Sequence, residues 1–404
     1  MAKPSQSAAL RFIFITIFID VLGLGIIIPV LPKLLDALGH SQDASLYNGW
    51  LTTDYALMQF FFAALLGNLS DRFGRRPVLL ISLFGFGIDY MVMAFAPTIL
   101  WLFVGRTISG IAGASTSTAT AYIADVSTGD KRAANFGLVG AASAIGLIFG
   151  IGLGAYLMGV NLRLPFMVAS AFAISNGLYG LFVLPESLAP ENRRKFDWKR
   201  ANPILALIRI YKNQPALATL LIGTGLVYIA QKAVEYLLSF FLYKKFDWTP
   251  ASVGTLGITI GLFLVAIQGG LLRYTVPKFG PQKNIVAGLI CYAVGLILIA
   301  IVGKGWMMYF VMIPYCLGGI SGPALQSFAS AKVAPNEQGE LQGAFAILNS
   351  LSLIIGPFIF SYIFYYFTKA HSSVYFPGAP YLAAALLMIV STFITIRSFK
   401  TKSA

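Results

Sequence analysis

Long apolar runs alternate with short polar breaks along the whole chain. Bounded by charge, glycine or proline, the runs fall at 12–34, 48–69, 77–97, 99–124, 134–158, 164–185, 215–243, 250–275, 282–302, 306–331, 338–367 and 376–397. Most reach the roughly 20 residues that an α-helix needs to cross a hydrocarbon core about 30 Å thick. In that core no water is available to backbone N–H and C=O groups, so the pattern predicts helices. The expectation is an all-α membrane protein with twelve transmembrane helices, and the even number places both termini on one side.

The polar breaks give the orientation. Gly67-Asn68-Leu69-Ser70-Asp71-Arg72-Phe73-Gly74-Arg75-Arg76-Pro77 concentrates an acid and three arginines between two runs, and positively charged loops stay on the cytoplasmic side. Of the 29 Lys and Arg residues, six fall on the predicted outer side (Lys33, Arg163, Lys244, Lys245, Lys304, Lys369) and two within runs (Arg106, Lys232). The remainder lie on the cytoplasmic side, with both termini. The longest break, 186–214, carries Arg193, Arg194, Lys195, Lys199, Arg200, Arg209 and Lys212, with an amphipathic helix near 203–211 expected on the membrane surface. It divides the chain into an N-terminal six-helix bundle (1–185), a basic linker (186–214) and a C-terminal six-helix bundle (215–404).

An internal repeat agrees with that division. Ala124-Asp125-Val126 recurs as Ala331-Lys332-Val333, and Phe73-Gly74, Gly137 and Gly150 recur as Phe279-Gly280, Gly343 and Gly356, all at offsets of 206 or 207 residues. A duplicated bundle, pseudo-symmetric and with its binding cavity between the halves, would leave such a trace.

Composition narrows the class further. At 57% apolar and 11% charged residues the chain is far from an ordinary soluble domain, in which about 25% is charged. The net charge of +14 fits basic loops beside an anionic leaflet and makes nucleic acid an unnecessary partner. Cys291 and Cys316 lie within apolar runs and read as small core residues. The first run contains Asp20 and two prolines and lacks a small-residue cleavage site, so a retained helix is expected. Nothing resembles a nucleotide-binding loop, a zinc site or a nucleophile–base pair, so neither an enzyme nor a metal or organic cofactor is expected.

Ionisable groups within the runs are few, and each costs about 2.5–3.5 kcal/mol on insertion scales unless it finds a partner, water or a function. Asp20 is followed by Gly23, Gly25, Pro29 and Pro32, which suit a helix lining a cavity; a structural hydrogen bond is the alternative, as it is for Asp89. Asp54 is near enough to the outer end of its run to reach water. Arg106 is expected to find a carboxylate in the bundle interior. Lys232 and Glu235 share a helix face and either neutralise each other or line a cavity. Asp20, Asp89, Arg106, Lys232 and Glu235, with Gln59, Gln268 and Asn349, form the expected substrate and proton pathway. The small residues of 105–121 and of 140–154 read as close helix packing.

The loop at 67–76 resembles the G-x3-D-R-x-G-R-R signature of the major facilitator superfamily. Ile27-Ile28-Pro29-Val30-Leu31-Pro32, Tyr55-Ala56-Leu57-Met58-Gln59, Leu69 to Leu80, Ala121-Tyr122-Ile123-Ala124-Asp125 and Gly339-Glu340-Leu341-Gln342-Gly343 are similar to the tetracycline/proton antiporters of Gram-negative bacteria. The resemblance implies the major facilitator fold, alternating access driven by protons, and an inner-membrane location. It matches Asp20, Asp89 and Arg106 to membrane-embedded residues the antiporters need, and Asp71, Arg75 and Asp125, with Gly67, Arg72, Gly74 and Arg76, to the cytoplasmic gating motif.

The chain departs from that family in its C-terminal half and in helix 5. Leu264 and Tyr292 stand where the antiporters carry a histidine and an aspartate, Gly150-Ile151 replaces a Gly-Pro pair, and Asp54, Lys232 and Glu235 have no counterpart. The expected function is proton-coupled transport of a small amphiphilic or anionic organic molecule, drug-efflux-like by family, by a monomer among membrane lipids. Import of a carboxylate-bearing metabolite or chelate is the alternative, and a non-transporting receptor a remote one.

Overall fold

A computed structural model describes residues 6–113, 116–126, 129–193, 215–333, 338–370, 372 and 374–400. These residues form helices and connecting turns, with no strand among them. In order the helices are α1 (Gln6–Ala37), α2 (Ala44–Phe73), α3 (Arg75–Phe95), α4 (Ile99–Gly113), α5 (Thr116–Val126), α6 (Gly129–Val160), α7 (Leu164–Val183), α8 (Pro215–Phe246), α9 (Pro250–Ala266), α10 (Leu272–Ile301), α11 (Met308–Leu317), α12 (Ser321–Ser330), α13 (Gln338–Thr368) and α14 (Ala379–Lys400). Eight stretches among the described residues are long and apolar enough to cross a membrane, and three shorter apolar helices accompany them. Large apolar side chains such as Ile81, Tyr156, Phe182 and Phe393 stand exposed, as a lipid-facing surface requires and a water-facing one would not tolerate in such number.

Many helices outrun their apolar stretches. At 1.5 Å per residue the 32 residues of α1 span about 48 Å, so its ends extend beyond the hydrocarbon core. Three expected single runs are subdivided. The run at 99–124 is described as α4 and α5; that at 250–275 passes from α9 through a π-helical turn, Ile267–Leu271, into α10; that at 306–331 is α11 and α12 joined by a 3-10 turn, Gly318–Ile320. The amphipathic helix expected near 203–211 lies outside the described residues.

The chain forms two compact units, Met1–His40 with Asp54–Asn202, and Ser41–Thr53 with Pro203–Ala404. The first is held by a seam between α1 and α6. Gly146, Gly150 and Gly154, one helical turn apart, lie over the carbonyls of Phe18, Leu22 and Ile26; an added Cβ would come within 2.6 Å of the Phe18 oxygen and 2.8 Å of the Ile26 oxygen, and would meet the Leu22 oxygen closer still. Only hydrogen fits, so the two backbones touch along three turns. Polar ties reinforce the neighbours: Ser170 Oγ donates to the Gly87 carbonyl at 2.7 Å, and Asn176 Nδ2 to Thr16 Oγ1 at 2.9 Å. Arg163 caps the carboxyl end of α3, donating to the carbonyls of Ala94 and Ala96 at 3.1 and 3.2 Å.

The second unit uses the same devices. Gly295 of α10 lies against the backbone of Tyr315, and Ser391 Oγ of α14 donates to the Gly223 carbonyl at 2.8 Å. The repeat is visible in the backbone itself: Gly74 (φ 109°, ψ 160°) and Gly280 (φ 76°, ψ 163°) take up nearly the same left-handed turn, 206 residues apart. An L side chain is strained there, which accounts for glycine at both places.

Replacing Gly150 by Leu should separate α1 from α6. Overpacking of this kind costs about 1–3 kcal/mol or more, so the detergent-solubilised protein should melt lower or elute as aggregate in size-exclusion chromatography, whereas Gly159→Ala, with open space around it, should not.

Candidate functional site

In the first unit, four helices converge on a set of ionisable side chains. α4 carries Arg106 and contributes small residues on the same face. Gly105 leaves room for the Asp89 carboxylate, and Gly110 and Gly113 admit Tyr55, Met58 and Gln59 of α2. Asp89 of α3 forms an ion pair with Arg106, and both side chains are almost wholly sealed. Arg106 also donates to Met93 Sδ at 2.9 Å and faces the ring of Tyr55 at 5.9 Å, while its Nε is buried with no hydrogen-bond partner among the described residues. Gln59 Nε2 donates to Tyr55 Oη at 3.1 Å and to the Gly113 carbonyl at 3.3 Å, tying α2 to α4.

Asp20 of α1 stands in the next layer. Gly23, nearly one turn on, leaves the space that the Tyr90 hydroxyl occupies, and both Tyr55 and Tyr90 feel the charges of Asp20 and Asp89. Asp20 Oδ1 is buried with no hydrogen-bond partner among the described residues. The layer thus holds one acid paired with a guanidinium and another, Asp20, that is only partly buried. Asp54 of α2 accepts a hydrogen bond from Thr107 Oγ1 at 2.9 Å, on the residue next to Arg106.

The second unit holds the other expected residues more loosely. Lys232 Nζ lies 2.6 Å from Glu235 Oε2, with the lysine nearly buried and the glutamate half-exposed. The lysine stem packs on Gly356 of α13, and its ammonium faces the Tyr236 ring at 5.9 Å. Tyr292 is buried edge-on to Tyr315, its ring against Gly318, and is hydrogen-bonded to Gln231, one residue before Lys232. Tyr228 bonds Gln326. Asn349 is exposed on α13, and the side chain of Gln268 lies outside the described residues.

Around the loop at 67–76 the side chains of Asp71, Arg75 and Asp125 meet. Arg75 Nη1 reaches Asp71 Oδ1 and Ser70 Oγ, each at 2.6 Å, and Arg75 Nε reaches Asp125 Oδ2 at 3.3 Å. Ser70 Oγ in turn donates to the Gly67 carbonyl. Arg72 and Arg76 go elsewhere: Arg72 over the Phe73 ring, Arg76 Nη2 to the Leu181 carbonyl at 2.6 Å.

Sequence reasoning missed the residue that ties this loop down. Glu186 accepts from the backbone N–H of Arg75 at 2.8 Å and of Arg76 at 3.3 Å, capping α3 from 111 residues away, and also from the N–H of Ser187 and Leu188. A Cβ on Gly74 would overlap its carboxylate. Ser187 Oγ donates to Asp125 at 3.1 Å and Tyr122 Oη to the Pro185 carbonyl at 3.0 Å. The available signal was an isolated acid directly after an apolar run, Pro185-Glu186-Ser187.

Long apolar helices with exposed outer faces and charges gathered between them describe a multi-pass membrane protein. Residues 13–357 match the Major Facilitator Superfamily, and the chain belongs to that family. It is 36% identical to the class C tetracycline resistance protein of Escherichia coli over 95% of both chains, and 32% identical to the class B protein over 89% of both. Multidrug resistance protein 2 of Bacillus subtilis is 28% identical, covering 94% of this chain and 92% of its own. In fold the chain is similar to the human organic anion transporter MFSD10, with a TM-score of 0.72 at 23% identity over 97% of this chain and 100% of that one. The nucleoside transporter NupG gives a TM-score of 0.76 at 16% identity over 98% and 100%.

Glu186→Ala should orphan two N–H groups at the start of α3 and cost about 0.5–2 kcal/mol, seen as a lower melting temperature, with Glu186→Gln losing less. Asp71→Asn should slow turnover in vesicles while leaving equilibrium substrate binding nearly unchanged, since Asp71 contacts only the loop cluster.

Proposed function

We propose that this chain is a proton-coupled secondary transporter that exports a small amphiphilic or anionic organic molecule by alternating access. Its twelve crossings would be the eight long apolar helical stretches, the three shorter ones and α2, arranged as two six-helix bundles. It would work as a monomer in a bacterial inner membrane, with both termini cytoplasmic and no cofactor beyond the proton gradient. The observation that carries the reading is the buried layer of Asp20, Asp89 and Arg106. Two carboxylates and one guanidinium deep in the bundle cannot all be charged without a net cost, so proton binding there shifts the balance between conformations. Similarity to relatives named as tetracycline resistance proteins favours export over import.

Import of a carboxylate-bearing molecule draws less support than the sequence alone suggests. That reading leans on a free ammonium at Lys232, and the ammonium is engaged by Glu235 at 2.6 Å.

In proteoliposomes an imposed proton gradient should drive substrate against its concentration, and Asp20→Asn or Asp89→Asn should abolish the driven flux while leaving facilitated exchange measurable. Gradient-independent transport would defeat the proposal. The double change Lys232→Leu with Glu235→Gln should retain transport and its pH dependence, because removing both partners leaves no unpaired buried charge.

A further inference from the structure

The carboxylate of Asp54 has no role in the ion pair just described and no counterpart in the antiporter pattern. We propose that Asp54 is the alternate counter-ion of Arg106 and thereby sets the pH at which Asp89 takes up its proton. The inference deepens the proton-coupled reading and rests on it for its physiological meaning.

The geometry is local to α2 and α4. Gly110 brings α4 against the Tyr55 carbonyl, so the residue before Tyr55 and the residue after Arg106 face each other. Thr107 Oγ1 donates to Asp54 Oδ2 at 2.9 Å, which fixes the carboxylate next to the guanidinium whose charge acts on it. Asp89 and Tyr90 from α3, and Asp54 and Tyr55 from α2, are the ionisable groups around Arg106; Asp20 from α1 reaches the two tyrosines. Arg106 therefore has an acid on either side. Asp89 is sealed in contact with it, and Asp54 is half-buried with access to water. The unused Nε of Arg106 leaves the guanidinium with donor capacity to spare.

When Asp89 is protonated, Arg106 loses its contact partner. A buried cation without a counter-charge is strongly disfavoured. Asp54, held by Thr107 on the next residue and within range of the charge of Arg106, supplies that counter-charge and so makes protonation of Asp89 easier. Without Asp54 the full charge of Arg106 would hold Asp89 ionised to lower pH. A unit charge about 10 Å away at an effective dielectric near 20 moves such a midpoint by about one pH unit.

The test is an infrared titration of the protonated-carboxyl band in the purified full-length protein, with Asp89→Asn identifying the band of Asp89. Asp54→Asn should move the midpoint of that band to lower pH by about one unit. Asp54→Glu should bring it back toward the wild-type value, and Thr107→Val, which removes the hydrogen bond but leaves the charge, should move it much less than Asp54→Asn. An unchanged midpoint in folded Asp54→Asn, or equal shifts in Asp54→Asn and Thr107→Val, would overturn the proposal in favour of a purely structural tie between α2 and α4. Should Asp54→Asn fail to fold, Asp54→Ser serves as the neutral variant. Proton-driven flux measured alongside separates the two claims: a shifted band with no proton-driven flux in the wild type upholds the counter-ion and defeats the coupling, and driven flux with an unshifted band does the reverse.

Discussion

A charge held inside a helix bundle in lipid must be matched where it sits, and in the first unit everything near the membrane interior is arranged around matching Arg106. Breaking a buried pair by removing one partner typically costs about 3–5 kcal/mol, so Asp89 and Arg106 constrain the rotation and depth of α3 and α4 more tightly than apolar packing would. The small residues of α4 follow from this. Gly105 leaves room for the carboxylate, and Gly110 and Gly113 let α2 come close enough for Tyr55 to face the guanidinium and for Gln59 to tie the two helices. Asp20, one layer away and only partly buried, differs in environment from Asp89, which is sealed against the guanidinium.

The loop at 67–76 applies the same economy of charge in a more exposed setting. Exposed ion pairs contribute little one at a time, and Asp71 with Arg75 alone would be a weak latch. Its strength comes from the carboxylate of Glu186, which caps α3 through the backbone and so binds the end of α7 to the loop whatever the side chains of Arg75 and Arg76 are doing. The corresponding turn in the second unit is basic, with Lys278 and Lys283 beside Gly280, but has no acid between residues 273 and 284. Asn284 there donates to the carbonyls of Thr275 and Gly280, holding the repeated left-handed glycine with neutral hydrogen bonds. The backbone turn recurs in both halves, and the acids that bind it stand in only one.

Much of this was legible beforehand because lipid imposes its demands locally. A stretch of apolar residues must be a helix, a basic loop stays on the cytoplasmic side, and an ionisable residue within a run must be matched; each statement concerns a window of sequence. These fixed the membrane class, the position of the spans, the motif loop and the short list Asp20, Asp54, Asp89, Arg106, Lys232 and Glu235. The motif residues Asp71, Arg75 and Asp125 come together as their pattern implied.

Partnership was a different matter. That Arg106 takes Asp89, that Asp54 leans on Thr107, and that Glu186 caps a helix 111 residues earlier depend on how far each helix is turned and how deeply it is set, unlike the pairing of Lys232 with Glu235 on one helix face. Those two quantities are fixed by where backbones can touch, at Gly146, Gly150 and Gly154 against α1 and at Gly110 against α2. In sequence, a glycine that lets two helices meet looks the same as one that does nothing, as Gly150 and Gly159 show. The sequence therefore determined which side chains needed partners, and only the tertiary structure, through the closeness of its helices, decided which partner each one found.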